Sequence, residues 1–285
     1  MNIRDFTFET YDRLLEAAVE NGFEVLTVAD YLEAADPPER YLVLRHDVDR
    51  KVDIARSMAR LEARHDLRST YYFRTSTFEP DLVEEVAGLG HEVGYHYEDL
   101  AHVGGDVDAA HERFARNLEA FRMHAEVKTA CSHGSPLSPH LNLDMWDDRR
   151  PPEHYGLLGE AYHSIETDDA DPRLPSYFSD TGRRWGAADP AGGRIETTAD
   201  LIDLLESGDC PRLYVLAHPS RWSRSSPEFV ERVAWDVVAQ AGKGAVEPVH
   251  RAQTGAAAVG TDAVRAAMRP IAISRQLLQF TTHDR

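Results

Sequence analysis

The chain has 285 residues, 42% of them hydrophobic and 28% charged, enough to enclose a substantial core in one large domain or two small ones. Its 49 acidic and 31 basic residues leave a net charge of −18, which repels phosphate and argues against nucleic acid or an anionic membrane as a partner. No apolar run reaches transmembrane length, nothing at the N-terminus reads as a signal segment, and two cysteines, Cys131 and Cys210, cannot build a disulfide framework, so the expectation is a cytoplasmic protein.

In chain order, residues 8–21 have helical spacing and end at Gly22. FEVLTV then reads as a strand, followed by a short helix over 28–34. YLVLRHDVD (41–49) is a strand and 51–65 a helix; STYYFRTS (69–76) is a β-branched and aromatic strand; PDLVEEVAGLG is a helix with its terminal glycine. HEVGYHYE (91–98) is another strand, 106–123 a long amphipathic helix, and EVKTACSHG (126–134) a strand. The stretch 135–195 is looser, with strand-like YGLLGEAYH and SYFSD between acidic, proline-containing loops. TADLIDLLES is a helix, LYVLAHP a buried strand, and SPEFVERVAWDVVAQA a helix with one apolar stripe, leading into an Ala-rich tail anchored by LLQF. Strands and helices alternating in this way imply a mostly parallel α/β sheet closed towards a barrel, with ligands at the carboxyl ends of the strands.

Four of these strands end in metal-binding or proton-transferring side chains: YLVLRHDVD, HEVGYHYE, VKTACSHG and LYVLAHP. Side chains alternate along a strand, so Arg45, Asp47 and Asp49 share one face while His46 and Val48 share the other. Two carboxylates at this spacing repel unless a cation or proton lies between them, and a divalent metal on one with the other near its bound water relieves the conflict. The same letters also fit a structural arrangement in which Asp49 caps the helix starting near Lys51 and Asp47 pairs with Arg45. His96 and Glu98 share a face of their strand, with His102 on the loop beyond. His133 sits in a CSHGSP turn that can hold an imidazole, and Cys131 offers a thiol or an inert core side chain. His218 after a core strand suits a general acid or base, or a hydrogen-bonded strand end. Asp180 can orient a neighbour or contact substrate, and Trp185 beside Arg183 and Arg184 can form an aromatic wall for a sugar face or a stacked surface pair.

The segments HDVD at 46–49, GHEVGYH at 90–96 and VLAHP at 215–219, in this order, resemble the polysaccharide deacetylase superfamily (NodB homology), in particular divergent members with an HDVD signature; the likeness covers roughly residues 10–222. The resemblance implies a distorted (β/α)7 barrel, read as a single catalytic domain over 1–285 with 224–285 as a helical extension. It further implies a divalent metal, most often zinc, and hydrolysis of the N-acetyl group of a sugar or glycan intermediate. It makes Asp47 the general base, Asp49 and His96 metal ligands and His218 the general acid. Two departures stand out. The second histidine expected four residues after His96 is Leu100, and the Arg-Pro-Pro-Tyr-Gly turn is replaced by SHGSP. His133 is therefore expected to complete the ligand set, with Glu98 and His102 as the other choices, and the roles of Asp47 and Asp49 are exchangeable. The alternatives are a hydrolase of a non-sugar C–N bond and a non-catalytic carbohydrate-binding relative that lost a full metal site.

Overall fold

The structure, a computed structural model, describes residues 5–224 and 228, apart from 136, 170, 183, 184, 186 and 189–193. Apart from Glu228, the expected helix over 226–241 lies outside the described residues, as do the Ala-rich tail, Arg183 and Arg184.

The described residues form ten strands: β1 (Glu24–Leu26), β2 (Tyr41–Val48), β3 (Thr70–Phe73), β4 (Glu92–Tyr97), β5 (Thr129–Ser132), β6 (Gly159–Glu160), β7 (Ser176–Ser179), β8 (Ala187–Ala188), β9 (Arg194–Ile195) and β10 (Arg212–Ala217). Seven of them form one parallel path in the order β6-β5-β4-β3-β2-β10-β7. β1 adds to the lower half of β2, whose upper half pairs with β3 from Arg45 onward. The sheet curls into an open half-barrel of the distorted (β/α) kind expected from the alternation of elements, and the short β8-β9 pair stands apart.

Among the described residues seven α-helices connect and cover the strands: α1 (Phe8–Glu20), α2 (Val28–Glu33), α3 (Val52–Arg64), α4 (Pro80–Gly88), α5 (Asp99–His102), α6 (Val107–Arg122) and α7 (Thr198–Ser207). α1 starts where Thr7 and Thr10 cap each other reciprocally and buries Tyr11, Leu14, Leu15 and Ala18 at helical spacing. Most other boundaries fall within a few residues of the expected ones. The differences are in the strands. EVKTACSHG is extended only over 129–132 and YGLLGEAYH only over 159–160, and a single 3-10 turn over 152–155 precedes the latter.

All eight residues of β2 are buried, as a central parallel strand covered on both faces requires. Outside the sheet, α1 and α7 pack with Leu42, Leu44, Leu213 and Val215. Inside it, Tyr72, Cys131, Ala161 and Tyr214 form an aromatic interior, where the Tyr214 hydroxyl donates to the Ala161 carbonyl at 3.0 Å. Gly94 on β4 makes room for this interior, because a Cβ there would lie 2.3 Å from the Tyr72 ring.

Candidate metal centre and acid–base pair

β2 sets the site by alternation. His46 faces outward and is fully buried beneath α1 and α3, its Nε2 2.7 Å from Glu62 and its ring stacked on Tyr71. Arg45 and Asp47 face the interior. The Arg45 guanidinium is wholly buried, donates to the Tyr214 hydroxyl at 2.8 Å, lies over the Tyr162 ring at 4.1 Å and stands 3.6 Å from Asp47 Oδ2. The expected Arg45–Asp47 pairing is therefore present, whereas Asp49 does not cap the following helix. The N-cap of α3 is Lys51, in a left-handed conformation (φ 56°) with no side-chain cap bond. This sharp turn leaves the Asp49 carboxylate over the end of the sheet.

Three elements converge there. His96, near the end of β4, is fixed by a contact of Nδ1 with the Cys131 carbonyl at 3.0 Å, so that Nδ1 carries the proton and Nε2 is left as the donor atom. His133, just past β5, is held through its backbone N–H donating to the Tyr97 carbonyl at 2.8 Å. Asp49 Oδ1 lies 3.5 Å from His96 Nε2 and 3.5 Å from His133 Nε2. These three donor atoms form a group that can hold a metal ion. Asp49 Oδ1 is buried and has no hydrogen-bond partner, an acceptor placed for a cation. Burial pushes the Asp49 carboxyl up, but the neighbouring His96, with His218 and His133, holds it well below the usual carboxylate range. His96 moves the opposite way: burial disfavours its charged form, and Asp47 and Asp49 outweigh this and raise it.

Two imidazoles and a carboxylate form a donor set that zinc accepts in catalytic sites, where a further position stays open. A second cluster, Asp47, His96 and Cys131, lies deeper. The neighbouring Arg45 cation and the buried thiol, pushed well up by its apolar surroundings, make it the poorer seat for a dication. Of the other choices for the third ligand, Glu98 is engaged by Arg74, whose Nη2 donates to its two oxygens at 2.9 and 2.7 Å. His102 lies outside the metal-competent groups found among the described residues, with its Nδ1 3.0 Å from the Glu98 carbonyl. Leu100 is 3% exposed in the core.

His218 follows β10 directly and is among the groups that lower the Asp49 carboxyl. Its Nδ1 is 2.6 Å from Asp180 Oδ1, and its backbone N–H donates to Asp180 Oδ2 at 2.8 Å. Arg221 and Trp222 also donate to Asp180, at 2.9 and 3.0 Å. Arg221 Nη1 also lies 3.1 Å from Nδ1, but the nearer Asp180 carboxylate, which cannot donate, sets the tautomer, so Nδ1 carries the proton and Nε2 is the nitrogen available to a substrate. Asp180 is fully buried, which corrects its reading as a substrate contact and leaves it as the orienting partner of His218. The aromatic wall is corrected too. Trp185 is 2% exposed, packed against Phe6 and Trp222, with its indole N–H donating to Thr198 at 3.2 Å, so its ring has no free face for a sugar. Sequence reasoning gave no role to Arg74. Its only signal was being the first charged residue past a strand end on the ligand-binding side.

No family model matches the chain, and no curated protein matches it. Solved structures similar to it include a family 4 carbohydrate esterase from Bacillus anthracis (13% identity, TM-score 0.41, covering 82% of this chain and 86% of that one). Another is a family 4 carbohydrate esterase from Streptomyces lividans in complex with acetate (16%, 0.39, 70% and 89%). A third is a CE4 family pseudoenzyme from Bacillus anthracis (12%, 0.40, 70% of this chain), of whose length this chain spans 61%. At these identities and TM-scores nothing about the chemistry of this chain follows.

Proposed function

We propose that the protein is a metal-dependent hydrolase that removes the N-acetyl group from a sugar or glycan intermediate. The observation that carries this reading is the convergence of Asp49, His96 and His133 around a buried, unpartnered carboxylate oxygen, beside a second carboxylate and an oriented histidine. Asp49, His96 and His133 would hold the ion, zinc being the metal that suits this donor set. When bound, such an ion polarises a carbonyl and lowers the pKa of water.

The rest falls to the chain's own side chains. Asp47, 3.8 Å from His96 and steadied by Arg45, is the base that takes a proton from water. His218 Nε2 gives a proton to the leaving amine, while Asp180 holds the ring and stabilises its charged form. His46 takes no part, being turned away under the helices. The resemblance carried by HDVD, GHEVGYH and VLAHP adds an acetamide as the bond and an acetylated sugar as the substrate class.

Acetate release from a panel of N-acetylated sugars and sugar nucleotides, by zinc-loaded protein, tests this. Release that disappears in Asp47→Asn and in His218→Ala supports the reading; no release from any member of the panel, with zinc bound, overturns the deacetylase assignment.

A further inference from the structure

We propose that Arg74 and Glu98 are positioning residues that select the metal-binding tautomer of His133, an inference that rests on the metal reading above. His133 stands on a loop rather than within a strand, and its Nδ1 has competing neighbours: Glu98 Oε2 at 3.0 Å, Ser135 Oγ at 3.2 Å and the Ser135 backbone N–H at 3.4 Å. These neighbours make opposite demands. The Ser135 N–H needs a lone pair on Nδ1, which places the proton on Nε2 and leaves nothing there for a metal. Glu98, an acceptor, needs the proton on Nδ1, which frees the Nε2 lone pair on the side facing Asp49, 3.5 Å away.

Glu98 can prevail because it is itself fixed. Its side chain is 9% exposed, and Arg74 Nη2 donates to its two oxygens. Arg74 Nη1 also donates to the Asp49 carbonyl at 3.3 Å, so one guanidinium ties the main chain of one ligand to the partner of another. The His102 ring also faces Glu98, its Nε2 3.9 Å from Oε1, and is half-exposed. Asn142, 2% exposed, restrains the loop without affecting the tautomer: its Nδ2 donates to the His133 carbonyl at 2.7 Å and to Ser135 Oγ at 3.0 Å. A histidine ligand whose second nitrogen is bound by a carboxylate is a recurrent device for metal sites, and loss of that partner typically weakens metal binding about 10–100-fold.

The test uses the full chain in two measurements. Nitrogen NMR of the metal-free protein, above the imidazole titration range, reads the tautomer of His133. Zinc titration of wild type, Glu98→Ala, Glu98→Gln, Arg74→Met and His102→Ala reads affinity. The expected result is an Nδ1–H tautomer in wild type that moves towards Nε2–H in Glu98→Ala. Zinc binding should weaken roughly 10–100-fold in that variant, recover in part in Glu98→Gln, which keeps an acceptor, weaken in Arg74→Met and stay unchanged in His102→Ala. An Nε2–H tautomer in wild type, or an unchanged tautomer and affinity in Glu98→Ala, overturns the proposal. So does a changed ligand-field spectrum of the cobalt-loaded Glu98→Gln protein, which would make Glu98 a ligand. If wild type binds no zinc but shows the expected tautomer shift, the metal reading fails and the side-chain device stands.

Discussion

At Asp180, four donors meet one fully buried carboxylate, and the residue nearest the proposed chemistry among them is His218. Substituting His218→Ala should lower kcat by about 10²–10⁴-fold, the usual contribution of a positioned acid or base, with zinc affinity unchanged. Asp180→Asn should lower kcat less and likewise spare zinc, since the histidine keeps its place but loses the negative partner for its charged form. The two carboxylates at the end of β2, Asp47 and Asp49, should separate by readout. Asp47→Asn is expected to retain zinc and lose turnover, whereas Asp49→Asn loses zinc itself. Equal zinc loss in the two variants, measured by metal content after gel filtration, would show that their roles are shared or reversed.

Strand β2 and helix α3 are joined by a buried polar cluster that has nothing to do with the metal. Glu62 on α3 accepts from the Tyr11, Ser69 and Tyr71 hydroxyls and lies 2.7 Å from His46 Nε2. Burial raises the Glu62 carboxyl, and His46, His91 and Ser69 reverse this and bring it down to about 2. A carboxyl depressed on folding stabilises the native state above its ordinary range, and the stability is lost as pH falls through that range towards about 2. On the order of 3 kcal/mol is at stake. Glu62→Gln should therefore flatten the acid limb of a pH–stability curve measured by denaturant unfolding, and lower stability at neutral pH. An acid limb identical to wild type would remove Glu62 from this role. This element also shows what the sequence could tell. Alternation along β2 assigned His46 to the outer face and Asp47 and Asp49 to the inner one, because period-2 geometry needs no tertiary information. The strand-end positions of His96, His133 and His218 were legible for the same reason. Trp185 was not: beside two arginines it reads as surface, and only the packing of Phe6 and Trp222, 179 and 37 residues away in sequence, makes it core. Nor was the Arg74–Glu98 contact, which needs the register of β3 against β4.

The net charge of −18 coexists, among the described residues, with an interior that holds the buried Arg45 guanidinium and two free cysteines. Among the described residues no helix is long and apolar enough to cross a membrane. Burial places the Cys131 thiol well above its ordinary range, so it should resist a thiol reagent in the native state and react only on unfolding. Rapid native modification of Cys131 would mean that the barrel interior opens to solvent. The half-barrel brings four strand ends to one edge, where three side chains, from the turn after β2, from β4 and from the loop after β5, act as one metal site. Equilibrium zinc titration of wild type beside His133→Ala tests this most directly. One zinc per wild-type chain and a binding constant weakened by more than the roughly 100-fold typical of an outer-shell loss in the variant are the predicted results; no zinc on wild type, or equal affinity in the two proteins, would contradict it.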